Sequence, residues 1–172
     1  MHYEDVRIPV DKWPEWKKSG KFEYEQIPAL EWKGKMMTLT TAIMMFLAEK
    51  LNYLPTQPII QYEVNSIYLS VMDVFNAFAI YFYMEKDPKV KADKRAAYFE
   101  KTVPFYFGLY EKKLSQKTNK NCIVGQAITY ADFGFAGFAK TALLVIDKEE
   151  YAKAYEKTPL FKKYLDYIVT IC

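Results

Sequence analysis

The chain has 172 residues, 51% of them hydrophobic and 26% charged, which is typical of one ordinary folded domain or of two small lobes. Its formal net charge is +3, and basic and acidic residues are interspersed, which argues against nucleic acid as a partner. Two cysteines, Cys122 and Cys172, and one histidine, His2, are too few for a disulfide framework or a familiar metal cluster. We therefore expect no metal and a reducing, cytoplasmic compartment.

The first 40 residues carry strand and turn patterns. β-branched residues at every second position predict a strand over 3–10, and alternating apolar positions predict a second strand over 26–32. Lys33-Gly34 is typical of a tight turn, so the second strand should form a hairpin with a short third strand over 36–39.

The pattern changes at Thr40, where apolar residues begin to recur at helical spacing. Thr40 is expected to cap this helix, which should run to about Asn52. Residues 53–58 contain two prolines and no periodicity, which predicts a linker.

Everything after the linker is predicted to be helical. A long helix is expected over 60–84 and a second over 89–114, with a kink where Pro104 removes a backbone donor. No run approaches the roughly 18 consecutive apolar residues of a membrane helix, so no membrane span is expected. Two shorter helices over 148–156 and 159–171 complete the chain.

The sequence Thr129-Tyr130-Ala131-Asp132 predicts a helix start. Thr129 and Asp132 have the spacing of a capping box, in which each side chain reaches the backbone of the other residue. Small residues then alternate with phenylalanines, so this helix should be central in a bundle. Of all residues 17% are aromatic, and we interpret most of the rings as core, with an aromatic ligand pocket as the alternative.

The fold class expected from these elements is α+β. Residues 1–52 would form a small lobe, 53–58 a linker, and 59–172 an all-helical domain. Several stretches, in this order, resemble the cytosolic glutathione transferases, most closely the sigma-class-like group. They are Tyr3-Glu4-Asp5-Val6-Arg7-Ile8, Trp13-Pro14-x-x-Lys17, Gln26-Ile27-Pro28-Ala29-Leu30, Gly34-Lys35, Ala42-Ile43-x-x-Phe46-Leu47-Ala48, Glu85-Lys86-Asp87-Pro88 and Val124-Gly125-x-x-Ile128-Thr129-Tyr130-Ala131-Asp132-Phe133.

The resemblance implies a thioredoxin-like lobe, truncated at its start, joined to a helical bundle, with glutathione as the ligand. Ile27-Pro28 matches the family's cis-proline, whose preceding backbone pairs with the cysteinyl unit of glutathione. Trp13 and Lys17 match side chains that hold the glycyl end, and Thr40 matches the hydroxyl at the γ-glutamyl site. Asp132 matches a structural cap with no catalytic role.

Three departures bear on activity. The family's first strand and helix, with the tyrosine that stabilises the glutathione thiolate, have no counterpart in these residues, so we assign no catalytic residue and expect unpaired strand edges. Leu39 replaces a glutamine amide of the γ-glutamyl site. The aspartate that reaches the neighbouring subunit's glutathione aligns with Val74, beside Asp73.

Candidates for an apolar substrate pocket are Tyr68, Met72 and Phe75 on the long helix, with plain helix core as the alternative. Tyr3 as a substitute catalytic hydroxyl and Cys122 as a reactive thiol are weaker interpretations, because Tyr3 lies on a predicted strand and no histidine lies near Cys122 in the sequence.

Three functions are compatible with these residues. The first is a catalytically degenerate homologue that acts as a binding or assembly subunit in a homodimer or a larger complex. The alternative is an active transferase or isomerase that conjugates glutathione to hydrophobic electrophiles, with the N-terminal segment missing from this sequence. A third is a carrier of apolar ligands. Fold analogy alone does not decide among them.

Overall fold

The chain divides into two units, the first ending at Leu51 and the second beginning at Asn52, in a computed structural model that describes residues 2–171. Cys172 lies outside the described residues. The first unit contains a small sheet and the second contains only helices among its described elements, which confirms the predicted α+β class.

The first unit is built around a hairpin. Its elements are α1 (Trp13–Lys17), β1 (Leu30–Trp32), β2 (Lys35–Met37) and α2 (Thr40–Lys50). The two strands pair antiparallel, with Leu30 opposite Met37. Lys33 and Gly34 form the turn with φ of 51° and 78°, the left-handed geometry that a two-residue hairpin requires. The hairpin prediction is therefore confirmed, with shorter strands than the pattern indicates.

The strand predicted over 3–10 is wrong. No regular structure occurs between residues 2 and 9, and Val6 and Val10 are 61% and 90% exposed. A strand needs a neighbour for its backbone hydrogen bonds, and the sheet of the described residues consists of β1 and β2 alone. Alternating β-branched residues do not form a strand without that partner.

The second unit consists of helices. They are α3 (Pro58–Ala79), α4 (Pro88–Ala97), α5 (Val103–Ser115), α6 (Tyr130–Phe138), α7 (Lys148–Glu156) and α8 (Pro159–Ile171). Three wider π-helical turns extend α3, α4 and α6, at Ile80–Met84, Tyr98–Thr102 and Ala139–Leu143. The helices predicted from periodicity are all present.

The break predicted at Pro104 takes the form of a π-helical turn. The turn over Tyr98–Thr102 separates α4 from α5, and Pro104 then lies in the first turn of α5. Proline is tolerated there because the first amides of a helix have no intrahelical acceptor. A π-helical turn inserts one extra residue, which separates the two hydrogen-bond ladders.

Aromatic side chains fill the core of the second unit. Phe78 is fully buried and its ring lies within 6.5 Å of six others. These are the rings of Phe75, Tyr81, Phe82, Tyr83, Tyr98 and Phe138. A second group of rings surrounds Phe161, including Phe107, Tyr110 and Phe135. Of the 30 aromatic residues, 13 are buried and seven are exposed, so core packing accounts for the largest group of rings but for fewer than half of them.

The carboxylate of Asp132 connects three parts of the second unit. It accepts hydrogen bonds from the Thr129 amide at 2.7 Å and the Thr129 hydroxyl at 3.0 Å, within a capping box at the start of α6. It also accepts from the Ile123 amide at 2.9 Å and from the Tyr164 hydroxyl of α8 at 2.7 Å. Asp132 is fully buried, so these donors replace water around its charge.

Helices α3 and α6 approach closely at Gly134. A Cβ atom placed on Gly134 would lie 2.9 Å from Cδ2 of Tyr68, too close without movement of the buried ring. We therefore expect Gly134→Ala to destabilise the protein by about 1 to 3 kcal/mol. Gly137→Ala is the matched control in the same helix, because its Cβ meets no atom within 4 Å. Urea unfolding midpoints should fall for the first variant only; equal midpoints would contradict the close approach.

One helix of the described chain, Pro58–Met84, is long and apolar enough to cross a membrane by length and composition. The core helix of a soluble protein passes the same test, and Val64, Val71 and Phe78 of this helix are buried inside the second unit. We therefore assign no membrane span to it.

The buried tyrosines predict a loss of stability at alkaline pH. Burial raises the pKa of Tyr98, Tyr110 and Tyr151 above the usual value near 10, and it raises the pKa of Tyr130 to about 12. The unfolded chain then loses protons before the folded one, so stability is complete below about pH 10 and falls above it.

Tyrosinate absorbance and far-ultraviolet circular dichroism, followed together from pH 9 to 13, test this expectation. The exposed tyrosines should ionise first, and the buried ones should ionise only together with the loss of helix. Ionisation of all 15 tyrosines with an unchanged helical spectrum would contradict it.

Candidate functional site

The open end of the β1–β2 hairpin brings two predicted site elements together. The Ile27–Pro28 peptide bond is cis and lies two residues before Leu30, the first residue of β1. Leu30 pairs with Met37, the last residue of β2, and Thr40 begins α2 three residues later. Since antiparallel strands place the start of one beside the end of the other, the cis-proline turn and the start of α2 lie at the same end of the hairpin.

The start of α2 differs from the prediction. Leu39, not Thr40, is the N-cap residue, and it has a positive φ of 69° and no capping side chain. Thr40 is the first residue of the helix. The Ile43 amide bonds to the Leu39 carbonyl, so the amides of the preceding turn have neither an intrahelical acceptor nor a side-chain cap. Such a helix start favours a negatively charged group.

Trp13 and Lys17 lie four residues apart on α1, and therefore on one face of it. The Trp13 ring packs on the buried Phe22 at 5.7 Å between centroids. The Lys17 ammonium lies 3.9 Å from the carboxylate of Glu25, which precedes the cis peptide by two residues. The sequence patterns do not indicate that Glu25 lies beside Lys17. Both side chains of this pair are exposed, so the pair is weak and Lys17 is available to another anion.

The three pocket candidates on α3 differ in exposure. Tyr68 is 2% exposed, and its ring packs on Tyr130 at 4.8 Å inside the second unit. Met72 and Phe75 are half-buried, and Phe75 contacts Phe78 and Phe138 at about 6 Å. Tyr68 is therefore core, while Met72 and Phe75 keep an accessible part.

Val74, the residue aligned with the family's aspartate, does not reach the surface. Val74 is fully buried in the bundle, whereas Asp73 is exposed and accepts a hydrogen bond of 3.2 Å from the Tyr106 hydroxyl. Asp73 and Tyr106 line an open groove of about 600 Å³ between α3 and α5, together with Gln61, Asn65 and Ser70. Of these two neighbours on α3, only Asp73 presents a side chain at the surface.

The structure gives little support to Cys122 and Tyr3, the two weaker candidates for a reactive group. Cys122 is 1% exposed, and burial raises the pKa of its thiol, so the thiolate is disfavoured. Tyr3 is 77% exposed on the irregular segment before α1. Between residues 2 and 171, no three His, Cys, Asp or Glu side chains are grouped to hold a metal ion.

Comparison with known proteins identifies the family. The profile of the glutathione S-transferase C-terminal domain matches residues 72–170. Glutathione S-transferase 2 of Manduca sexta is 30% identical over 179 residues, covering 96% of this chain and 84% of that protein. A glutathione S-transferase of Plasmodium yoelii yoelii is 24% identical, covering 99% of this chain and 78% of that protein.

Solved structures share the fold. Prostaglandin synthase D of Nilaparvata lugens superimposes with a TM-score of 0.84 at 22% identity, covering 99% of this chain and 80% of that one. A monomeric glutathione S-transferase of the hookworm Necator americanus gives a TM-score of 0.78 at 22% identity, covering 98% and 80%. The family profile, the relatives and the fold agree: the chain belongs to the glutathione S-transferase family.

Proposed function

We propose that the chain binds glutathione at the open end of the β1–β2 hairpin. The observation that carries this proposal is the meeting of the cis Ile27–Pro28 turn with the uncapped start of α2, given by the pairing of Leu30 with Met37. The backbone of the cis Ile27–Pro28 turn would bind the cysteinyl unit of glutathione. The start of α2 would bind the γ-glutamyl carboxylate through its amides and the Thr40 hydroxyl.

The glycyl carboxylate would lie against α1. Lys17 offers an ammonium held only by a weak exposed pair with Glu25, and Trp13 offers an indole N–H. Replacing Lys17 by Met should weaken glutathione binding about tenfold, the worth of one charge-assisted contact. Binding of γ-glutamylcysteine, which has no glycine, should be unchanged.

The matched control for that experiment is Lys18→Met, which removes the neighbouring charge at the end of α1. Calorimetric titration of each variant with both peptides gives the answer. If Lys17→Met and Lys18→Met weakened glutathione binding equally, the effect would be one of general charge. If Lys17→Met weakened the binding of glutathione and γ-glutamylcysteine equally, Lys17 would not contact the glycyl carboxylate.

We propose binding without catalysis as the main activity. Leu39 has no side-chain amide to hold the ligand, and none of the described hydroxyl or thiol groups is assigned to the glutathione sulfur, whose ordinary pKa leaves only a few per cent as thiolate at neutral pH. Such a chain would act as a binding or assembly subunit, of sigma-class type and located in the cytoplasm.

The alternative is an active glutathione transferase, which the names of the relatives favour. In that reaction the glutathione sulfur attacks an electrophilic carbon, a C–S bond forms, the leaving group departs with the bond electrons, and the thiol proton passes to solvent. Met72 and Phe75, which the resemblance makes candidates for the electrophile's side, are half-buried on α3. Initial rates with glutathione and 1-chloro-2,4-dinitrobenzene distinguish the two proposed functions. Turnover above the uncatalysed rate supports an active transferase, and glutathione binding without turnover supports a non-catalytic binding or assembly subunit.

We further propose that the partner is a second copy of the chain. The groove between α3 and α5 presents Tyr62, Leu69 and the Asp73 carboxylate on one face. Asp73 would reach towards the partner's glutathione, as the resemblance implies. Light scattering of the purified chain should give twice the 20.2 kDa chain mass, and a monomer, as described for the hookworm protein, would contradict this part.

A further inference from the structure

A cavity of about 270 Å³ lies in the second unit, between the π-helical turn Ala139–Leu143, α7 and α8. Ala139 and Leu165 line its buried side and are 1% and 3% exposed. Leu144, which is 44% exposed, and the half-buried Val169 line it nearer to the surface. The cavity shares no lining residue with the groove between α3 and α5.

The π-helical turn builds one side of this cavity. The Leu144 amide bonds to the Ala139 carbonyl at 3.0 Å, five residues back, which is the wide spacing of a π-helix. Both residues joined by this bond line the cavity. Such turns are rare and occur frequently at functional sites, so the cavity is a candidate for ligand binding.

Tyr155 of α7 supplies an aromatic wall that is held in place. Its ring stacks on the fully buried Phe107, with 5.6 Å between the centroids and 18° between the planes. The Lys162 ammonium lies 5.6 Å from the centre of the Tyr155 ring. Because these contacts exist without a ligand, binding requires little ordering of this wall, which favours affinity.

The charged pair that lines the cavity has no net charge. Lys162 donates to both carboxylate oxygens of Asp166, at 2.5 and 2.6 Å. A ligand anion would be repelled by the Asp166 carboxylate, and a ligand cation by the Lys162 ammonium. The carboxylate oxygens keep further lone pairs, which can accept a hydrogen bond from an uncharged O–H or N–H group. The pair therefore favours a neutral donor.

The volume of the cavity limits the ligand to one or two rings. An apolar cavity of about 150 Å³ holds benzene, and sites for drug-sized ligands begin at about 300 Å³. A volume of about 270 Å³ thus fits one substituted ring or two fused rings.

We propose that this cavity binds a small neutral aromatic molecule that carries one hydroxyl or N–H group. The ring would pack between Leu144, Val169 and Tyr155, and the hydroxyl or N–H would donate to the Asp166 carboxylate. The site belongs to the second unit alone, so it does not depend on the proposed glutathione site.

The first experiment uses phenol as the probe and compares it with toluene, benzoate and benzylamine, which have the same ring. Each is titrated into the full 172-residue chain while amide chemical shifts are followed by NMR. Phenol should bind with a Kd of about 1 mM, in the range expected for so small a ligand, and shift amides over 139–144 and 162–170. The other three should bind at least about threefold more weakly. An absence of saturable shifts in these segments, or toluene binding as tight as that of phenol, would overturn the proposal.

Substitution of either charged residue should change which ligand is preferred. Asp166→Ala leaves the Lys162 ammonium without its partner, so benzoate should bind more tightly than phenol. Lys162→Met leaves the Asp166 carboxylate, so benzylamine should bind more tightly than phenol. Both variants should fold, because exposed pairs contribute little to stability. An unchanged order of the four ligands in both variants would overturn the role of the pair.

Val169→Phe fills the cavity with a larger side chain and should abolish phenol binding. The matched control is Val90→Phe, the same change on α4, because Val90 is 40% exposed and does not line the cavity. Circular dichroism shows whether both variants are folded. Loss of phenol binding in Val169→Phe alone supports the site, and phenol binding that survives in a folded Val169→Phe protein would contradict it.

Discussion

Replacing Asp132 by Ala is expected to remove about 3 to 6 kcal/mol of stability, because four donors that now bond a buried carboxylate would lose their acceptor. A domain of this kind is stable by about 5 to 15 kcal/mol, so the variant should be largely unfolded or sharply less stable. Asp132→Asn keeps one acceptor oxygen and should fall between the wild type and the alanine variant. Urea unfolding followed by circular dichroism measures all three.

The control for this prediction is Asp166→Ala. The Asp166 carboxylate pairs with Lys162 on the surface of α8, and exposed pairs of this kind contribute about 0 to 1 kcal/mol. Its unfolding midpoint should stay close to that of the wild type. If Asp132→Ala were no more destabilising than Asp166→Ala, the view that Asp132 ties α6, α8 and the loop at Ile123 together would be wrong.

Phe78→Ala is expected to have the second largest effect, a loss of about 3 to 5 kcal/mol. Phe78 is fully buried among six rings from α3, α4, α6 and their π-helical turns, so its removal leaves a cavity that rigid rings fill poorly. Phe78→Leu should cost less, since more of the volume is kept. Both variants are compared with the wild type by thermal and urea unfolding.

Phe105→Ala is the matched control, because the Phe105 ring is 61% exposed on α5. Surface changes of this kind usually lie within about 0.5 kcal/mol of the wild type. A Phe78→Ala protein that unfolds at the same urea concentration as Phe105→Ala would mean that the ring cluster around α3 contributes little to the fold.

The sequence was sufficient for the elements that depend on local chemistry. Apolar spacing predicted the long helix over 60–84, which begins at Pro58 in the structure. Lys33-Gly34 predicted the hairpin, and Thr129 and Asp132 have the spacing of the capping box found at the start of α6. In each case the residues that decide the structure lie within a few positions of one another. The family resemblance, carried by motifs spread over the chain, is confirmed by the comparisons.

Features that depend on distant partners could not be predicted. The strand expected over 3–10 fails because pairing is decided by another segment, and Leu39 displaces Thr40 as the N-cap of α2 through a backbone conformation that the sequence does not reveal. The bond between Arg95 and Asp147 joins residues 52 apart, and no spacing rule indicates it. For the candidate site, the resemblance supplied the residues, and the register of the hairpin shows only that the cis Ile27–Pro28 turn and the start of α2 lie at the same end of it.

The most direct test of the proposed site is calorimetric titration of reduced glutathione into the purified 172-residue chain, with oxidised glutathione and free cysteine as comparisons. We predict saturable binding of reduced glutathione at one site per chain, with a Kd of about 1 mM or tighter, the range that a few charge-assisted contacts supply, and no binding of cysteine. A folded chain that takes up no glutathione would contradict the proposed site at the end of the hairpin.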